Sequence, residues 1–295
     1  MELNHSNVCT VCQKTHKKIF NYQGYEYFRC DECLHVTTLP YPTSQAINEH
    51  YAKQFQSGNY NIAHKNKAGR TAPFQQYISL LNEWFSQNSQ ESLKNKRVLD
   101  IGCFTGELLI ELEKAGAQVT GIELQTEAAK IAQDQVSGKV FNSSIFDVDL
   151  ESGSFDVVVL SGVIEHVTDP GTLIKKSVEF LKPNGLLLIQ TPNSESWLAK
   201  TFGKYWPPYQ PVEHIHLFSH ESLQRIMKQH GCTEVHFQNH WKKLPIEYVY
   251  NMFATFGPEF HKLLTPAYNV CPSFIRKRSL PFYGGEMLTL YQRST

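Results

Sequence analysis

From Arg97 onward, short continuous apolar runs alternate with segments whose apolar residues recur at helical spacing. "RVLDI" precedes "GELLIELEKAG", "QVTGIE" precedes "QTEAAKIAQDQV", "KVFNSS" follows, and "FDVVVL" precedes "PGTLIKKSVEFLK". "GLLLIQT", "SHESLQRIMKQHG" and "TEVHFQ" continue the series. Apolar runs of this length predict strands covered on both faces, so the pattern predicts an α/β fold with a parallel sheet between helical layers. Upstream, "FQQYISLLNEWFSQ" places Phe74, Tyr77, Ile78, Leu81, Trp84 and Phe85 at helical spacing and predicts a docking helix. The first 40 residues behave differently. "KKIFNYQGYEYFR" alternates aromatic and polar residues around Gly24, as a small ribbon of strands does.

Cysteine spacing gives that ribbon its chemistry. Cys9 and Cys12, then Cys30 and Cys33, form C-x2-C-x17-C-x2-C. Each pair presents two thiolates on one turn, and two such turns complete a tetrahedral sulfur site for Zn2+. Four sulfur ligands leave no open position, so the zinc is expected to be structural; a pair of disulfides or a thioredoxin-like redox site is the alternative. A module this small lacks the core to fold alone, and metal binding supplies the folding free energy. Cys103, Cys232 and Cys271 stand apart and read as small core or near-core residues.

The 295 residues suffice for one sizeable domain and a smaller one. Lys+Arg and Asp+Glu balance at 28 each, which removes the global electrostatic attraction of a non-specific nucleic-acid binder. No apolar run is long enough to span a bilayer, and "MELNHSNVCTVCQKTHKK" lacks the apolar core of a secretion signal, so the expected location is cytoplasmic.

"VLDIGCFTG" is a strand entering a turn between Gly102 and Gly106, where the backbone can approach a ligand. Glu123 closes the next strand, where an acid accepts hydrogen bonds from ribose hydroxyls. The ligand therefore contains a nucleoside. A dinucleotide site has G-x-G-x-x-G, whereas here Gly102-x3-Gly106 follows Asp100. An acid there suits the cationic, phosphate-free S-adenosylmethionine better than NAD.

These motifs, with "FDVVVLSGVIEHVTDP", "LKPNGLLLIQTPN" and "EHIHLFSHESLQRIMKQHG", resemble the class I S-adenosylmethionine-dependent methyltransferases over about residues 45–240. The closest likeness is to the branch of ubiquinone-biosynthesis O-methyltransferases and glycan or natural-product methyltransferases, and "CDECLHVTTLPYPTSQAINEHY" resembles a zinc-ribbon entry to that fold. The resemblance implies a Rossmann-like, doubly wound, mostly parallel seven-stranded sheet whose antiparallel last strand "GEMLTLYQR" could supply. It assigns a zinc ribbon to 1–40, linker and helices to 41–96, the cofactor-binding core to 97–240, an acceptor-side insert to 241–282 and the last strand to 283–295. Asp100, Gly102 and Gly106 would lie at the methionine end, Glu123 at the ribose, and Ser144 and Ile145 at the adenine, with Cys103, Leu124 and Ser161 also at the cofactor. Phe104 departs from the family's middle glycine, so the turn is expected to be wider or held by other contacts.

His166, after the fourth strand, is placed to act as a base or, with Glu165, to cap the next helix. "EHIHLF" adds Glu213, His214 and His216. With Glu165 and His166 these could form a second, divalent metal site, but Gly162 replaces the first glutamate of the family's E-x-x-E-H. Metal-independent catalysis, with His214 at the substrate, is the expectation. The insert is aromatic and basic; it either covers the acceptor site, favouring an anionic, lipid-linked or membrane-proximal substrate, or packs against an oligomer partner. The leading function is O-methylation of a small molecule or glycan. C-methylation of a nucleotide-linked sugar, ribosomal RNA methylation and non-catalytic cofactor binding remain alternatives.

Overall fold

A computed structural model describes residues 8–43, 45–47, 49, 67–89, 91–256 and 258–295. Of the polar stretch 56–70 read as linker, residues 56–66 lie outside the described residues, and 67–70 form the first turn of a helix.

The N-terminal module contains β1 (His16–Tyr22), β2 (Tyr25–Cys30) and β3 (Val36–Leu39), joined antiparallel. The core follows as α1 (Lys67–Ser89), β4 (Arg97–Ile101), α2 (Glu107–Lys114), β5 (Gln118–Glu123), α3 (Thr126–Gln133) and β6 (Lys139–Asn142). Its second half contains β7 (Phe155–Ser161), α4 (Pro170–Phe180), β8 (Leu181–Pro192), α5 (Trp197–Phe202), β9 (His216–Leu217), α6 (His220–Gln229) and β10 (Cys232–Pro245). Helices α7 (Ile246–Phe256), α8 (Pro258–Val270) and α9 (Ser273–Arg276) precede β11 (Ser279–Arg293). The large sheet has the order β10-β11-β8-β7-β4-β5-β6, and β11 runs antiparallel to both neighbours. This is the expected seven-stranded, mostly parallel, doubly wound sheet. The arms of β10 and β11 pair as far as Pro245 and Ser279, so the strands extend into the segment read as an insert.

Alternate residues of the buried strands feed two cores. Val98, Val157, Val159 and Leu188 meet α1 and α2 through Leu81, Leu109 and Leu112. On the other face Leu99, Val158 and Ile189 meet Leu173 of α4 and Leu223 of α6, and the ribbon residues Cys9 and Val11 join this cluster. Side-chain caps start α4 and α6. Asp169 accepts from the Thr172 amide at 3.0 Å ahead of Pro170, and Ser219 and Ser222 form a reciprocal cap on α6.

Gly121, in the middle of β5, permits the close fit beneath the ligand-side turn. A Cβ there would meet Cys103 Sγ at 2.7 Å and Leu109 Cδ1 at 2.9 Å. Gly121→Ala is expected to overpack this contact and lower stability by about 1–3 kcal/mol, measured as a shift of the urea midpoint at constant slope.

Candidate active site

The turn after β4 is built on backbone. Gly102 takes φ +74°, and the amides of Gly102 and Cys103 both donate to the Ile122 carbonyl, at 2.8 and 3.1 Å. A Cβ on Gly102 would lie 2.7 Å from Val163 Cγ2, so this turn and the loop after β7 touch at a position with no side chain. Phe104, at φ +49°, donates its amide to Glu123 Oε2 at 2.9 Å, while the Gln125 amide donates to Oε1 at 2.8 Å. The Glu123 carboxylate thus braces the turn that carries phenylalanine in place of glycine.

Asp100 is buried without a hydrogen-bond partner among the described residues. Burial, with Glu123 and Glu107 nearby, pushes its pKa well above the usual carboxylate value. A cationic ligand would relieve that cost. Gly106 starts α2 in the left-handed region, and Leu124 and Phe146 expose apolar side chains. Ser144 Oγ accepts from the Phe146 amide at 3.2 Å. Cys103 and Ile145 send their side chains into the two cores, which leaves their backbones for a ligand.

At the carboxyl end of β7, a hydrogen-bonded chain crosses the sheet. Tyr77 of α1 shares a hydrogen with Ser161 Oγ at 3.0 Å, and Ser161 donates to Gln190 Oε1 at 3.4 Å. Gln190 Nε2 donates to Glu286 Oε2 at 2.8 Å, and Lys242 Nζ donates to Glu286 Oε1 at 2.6 Å. Sequence reasoning placed Tyr77 only on a docking face and did not single out Gln190 or Glu286. The available signal was a polar residue interrupting a buried run, as Gln190 does in "GLLLIQT".

Glu165, His166 and His214 converge beside this chain, each with one ligating atom within 4.8 Å of the others. His166 Nδ1 donates to the Glu213 carbonyl and His214 Nδ1 to the Pro208 carbonyl, both at 2.7 Å. Carbonyl acceptance at Nδ1 directs the chemistry of His214 to Nε2. Burial holds His214 below its usual pKa of 6.5 and raises Glu165 to about 8, although Thr191 Oγ1 donates to Glu165 Oε2 at 3.0 Å. A neutral imidazole therefore stands beside a largely protonated carboxyl at pH 7. One carboxylate and two imidazoles could also hold a divalent cation. His216 does not join them: its Nδ1 lies 3.0 Å from His35 Nε2 in the buried seam with the ribbon.

A family model described as a methyltransferase domain matches residues 74–236. The chain belongs to this family of S-adenosylmethionine-dependent methyltransferases. A ubiquinone biosynthesis O-methyltransferase of Idiomarina loihiensis is 35% identical over 154 residues, 48% of this chain and 63% of that protein. The corresponding protein of Albidiferax ferrireducens is 32% identical over 142 residues, 45% of this chain and 56% of its own. The matched part of the methyltransferase thus spans about three-fifths of these relatives. Among solved structures, a Burkholderia thailandensis 1,6-didemethyltoxoflavin-N1-methyltransferase with bound S-adenosylhomocysteine superimposes with TM-score 0.54 at 13% identity, covering 95% of this chain and all of that one. A Thermotoga maritima S-adenosylmethionine-dependent methyltransferase gives 0.52 at 18% identity, covering 84% and 98%. These likenesses show the class I fold.

The cysteines of the methyltransferase's ribbon face one another in two pairs, Cys9 Sγ to Cys33 Sγ at 3.6 Å and Cys12 Sγ to Cys30 Sγ at 3.3 Å. A tetrahedron with Zn–S bonds of ~2.3 Å has sulfur–sulfur edges of about 3.8 Å, so the donor set fits Zn2+. The Cys33 thiol beside Cys9 lowers the Cys9 pKa, which favours a thiolate there. The ribbon is fused to the active site through β9, which adds a fourth strand beside β3. The Ile215 carbonyl accepts from the Thr38 amide at 3.0 Å, and Ser219 Oγ donates to the Cys33 carbonyl at 2.6 Å. With Zn2+ loaded on this site, adding a chelator is expected to leave the large sheet protected while amide exchange accelerates in 36–39 and 215–217, read by hydrogen-exchange mass spectrometry. Unchanged protection of both segments would separate the metal from the seam.

Proposed function

We propose that this methyltransferase methylates a hydroxyl of a small-molecule acceptor, with His214 as the proton acceptor. The observation that carries this reading is His214, fixed through Nδ1 to the Pro208 carbonyl and grouped with Glu165 and His166 of the loop after β7, whose Val163 meets the Gly102 turn. Asp100 would hold the ammonium end of S-adenosylmethionine, Glu123 its ribose, and Ser144 with the Ile145 backbone its adenine. The bound cofactor supplies the methyl group. His214 Nε2 takes the hydroxyl proton, and the wall formed by Tyr77, Gln190 and Glu286 orients the acceptor and limits water. The O-methyltransferase names of the ubiquinone relatives support oxygen as the acceptor atom. Zn2+ on Cys9, Cys12, Cys30 and Cys33 is assigned a structural role.

Radiolabelled methyl transfer from S-adenosylmethionine to panels of small phenols, alcohols, glycans and RNA tests the acceptor class. Labelling only of glycan or RNA would overturn it. With a working acceptor, wild-type kcat/KM is expected to rise with pH through a value below 6.5 and level off near neutrality, because the base must be unprotonated. His214→Gln is expected to lose that acid limb and about 10²–10⁴-fold in rate.

Cofactor binding is tested separately by calorimetry. Glu123→Gln keeps one carbonyl oxygen for the turn but removes the charge, and should weaken S-adenosylmethionine binding by about 10-fold or more. Wild-type affinity in that variant would remove Glu123 from the ribose site.

A further inference from the structure

The helices between the arms of the β10–β11 hairpin carry apolar residues outward. One ring holds α8 to α7. Tyr250 stacks on Tyr268 with centroids 3.7 Å apart, lies 4.3 Å from His261, and shares a hydrogen with Thr265 Oγ1 at 2.8 Å. Positions 261, 265 and 268 are therefore the inner face of α8. The other side presents Leu263, Ala267 and Val270 at i, i+4 and i+7, with Leu263 74% and Val270 82% exposed. Phe274 of α9 is 76% exposed. No described residue from 246 to 278 is buried. Packing normally stabilises short helices, and a contiguous exposed apolar face marks an interaction surface.

Charge selects the partner. Residues 241–282 carry six basic side chains against two acidic ones, in a chain whose formal net charge is zero. Lys277 and Arg278, just after Phe274, are exposed with no acidic partner among the described residues. Two copies placed face to face would set positive charge against positive charge. An anionic bilayer supplies the opposite charge, and its headgroup–acyl boundary receives the apolar stripe.

We propose that α8 and α9 form a docking face for an anionic lipid surface. The face projects from the hairpin whose β10 arm supplies Lys242, so docking brings the acceptor end of the site close to the membrane. Neither the proposal nor its test requires methyl transfer.

The test is flotation of the full chain with phosphatidylcholine vesicles, with and without phosphatidylglycerol, at low and high salt. The wild type is expected to float with anionic vesicles at low salt and to remain behind with neutral ones. Lys277→Gln with Arg278→Gln leaves the stacking of Arg276 on Tyr268 intact and should weaken partitioning on the order of 30-fold. Leu263→Ser with Val270→Ser, checked for unchanged circular dichroism, should also weaken it and make the residual binding fully salt-sensitive. Equal binding to both vesicle types, no binding to either, or wild-type partitioning in both variants would overturn the proposal. So would a dimer in sedimentation velocity that the serine variant abolishes while wild-type protein ignores vesicles, because a second copy would then cover the face.

Discussion

The main-chain oxygen of Glu165 accepts from the amides of Ile215 and His216, at 2.9 and 3.1 Å, and so joins the loop after β7 to the segment that leads into β9. On one side lies the loop after β7, which carries Glu165 and His166. On the other lies the segment that carries His214 and continues into β9, itself paired with the ribbon strand β3. The position of His214 therefore depends on three layers: loop, strand and ribbon. Backbone hydrogen bonds carry this dependence, so many side-chain changes around it can be absorbed, whereas a shift of the β3–β9 register cannot.

Electrostatics gives the same site its sign. Asp100, Glu123 and Glu165 all have pKa values raised chiefly by burial, and only Glu123 receives backbone amides on both carboxylate oxygens. Desolvated acids of this kind disfavour anionic ligands and favour cationic ones. A phosphate-bearing cofactor would add negative charge to an already costly cluster, and a sulfonium with an ammonium would lower that cost. The Lys242–Glu286 pair supplies positive charge at the far end of the wall, where the acceptor is proposed to lie.

The sheet was legible because its strands are buried on both faces and alternate with segments whose apolar residues recur at helical spacing. The glycine turn, Glu123 and the four cysteines were legible because each depends on spacing within a short stretch. Three features were not. The contact that replaces the missing glycine at Phe104 depends on a carboxylate 19 residues away. The wall of Tyr77, Ser161, Gln190, Glu286 and Lys242 draws on four strands and a helix, and no local pattern links them. The fourth ribbon strand was hidden for the same reason: two residues, His216 and Leu217, are too short a run to announce a strand.

That short strand also bears on synthesis. His35 and His216 meet at 3.0 Å across 181 residues of chain. During translation the ribbon strands can pair early, yet β3 keeps an open edge until most of the catalytic core has been made. An open strand edge can pair with another chain, and a nascent chain exposes it for seconds at ordinary elongation rates. The strand edge that the finished fold buries and pairs is thus a pairing hazard on the nascent chain.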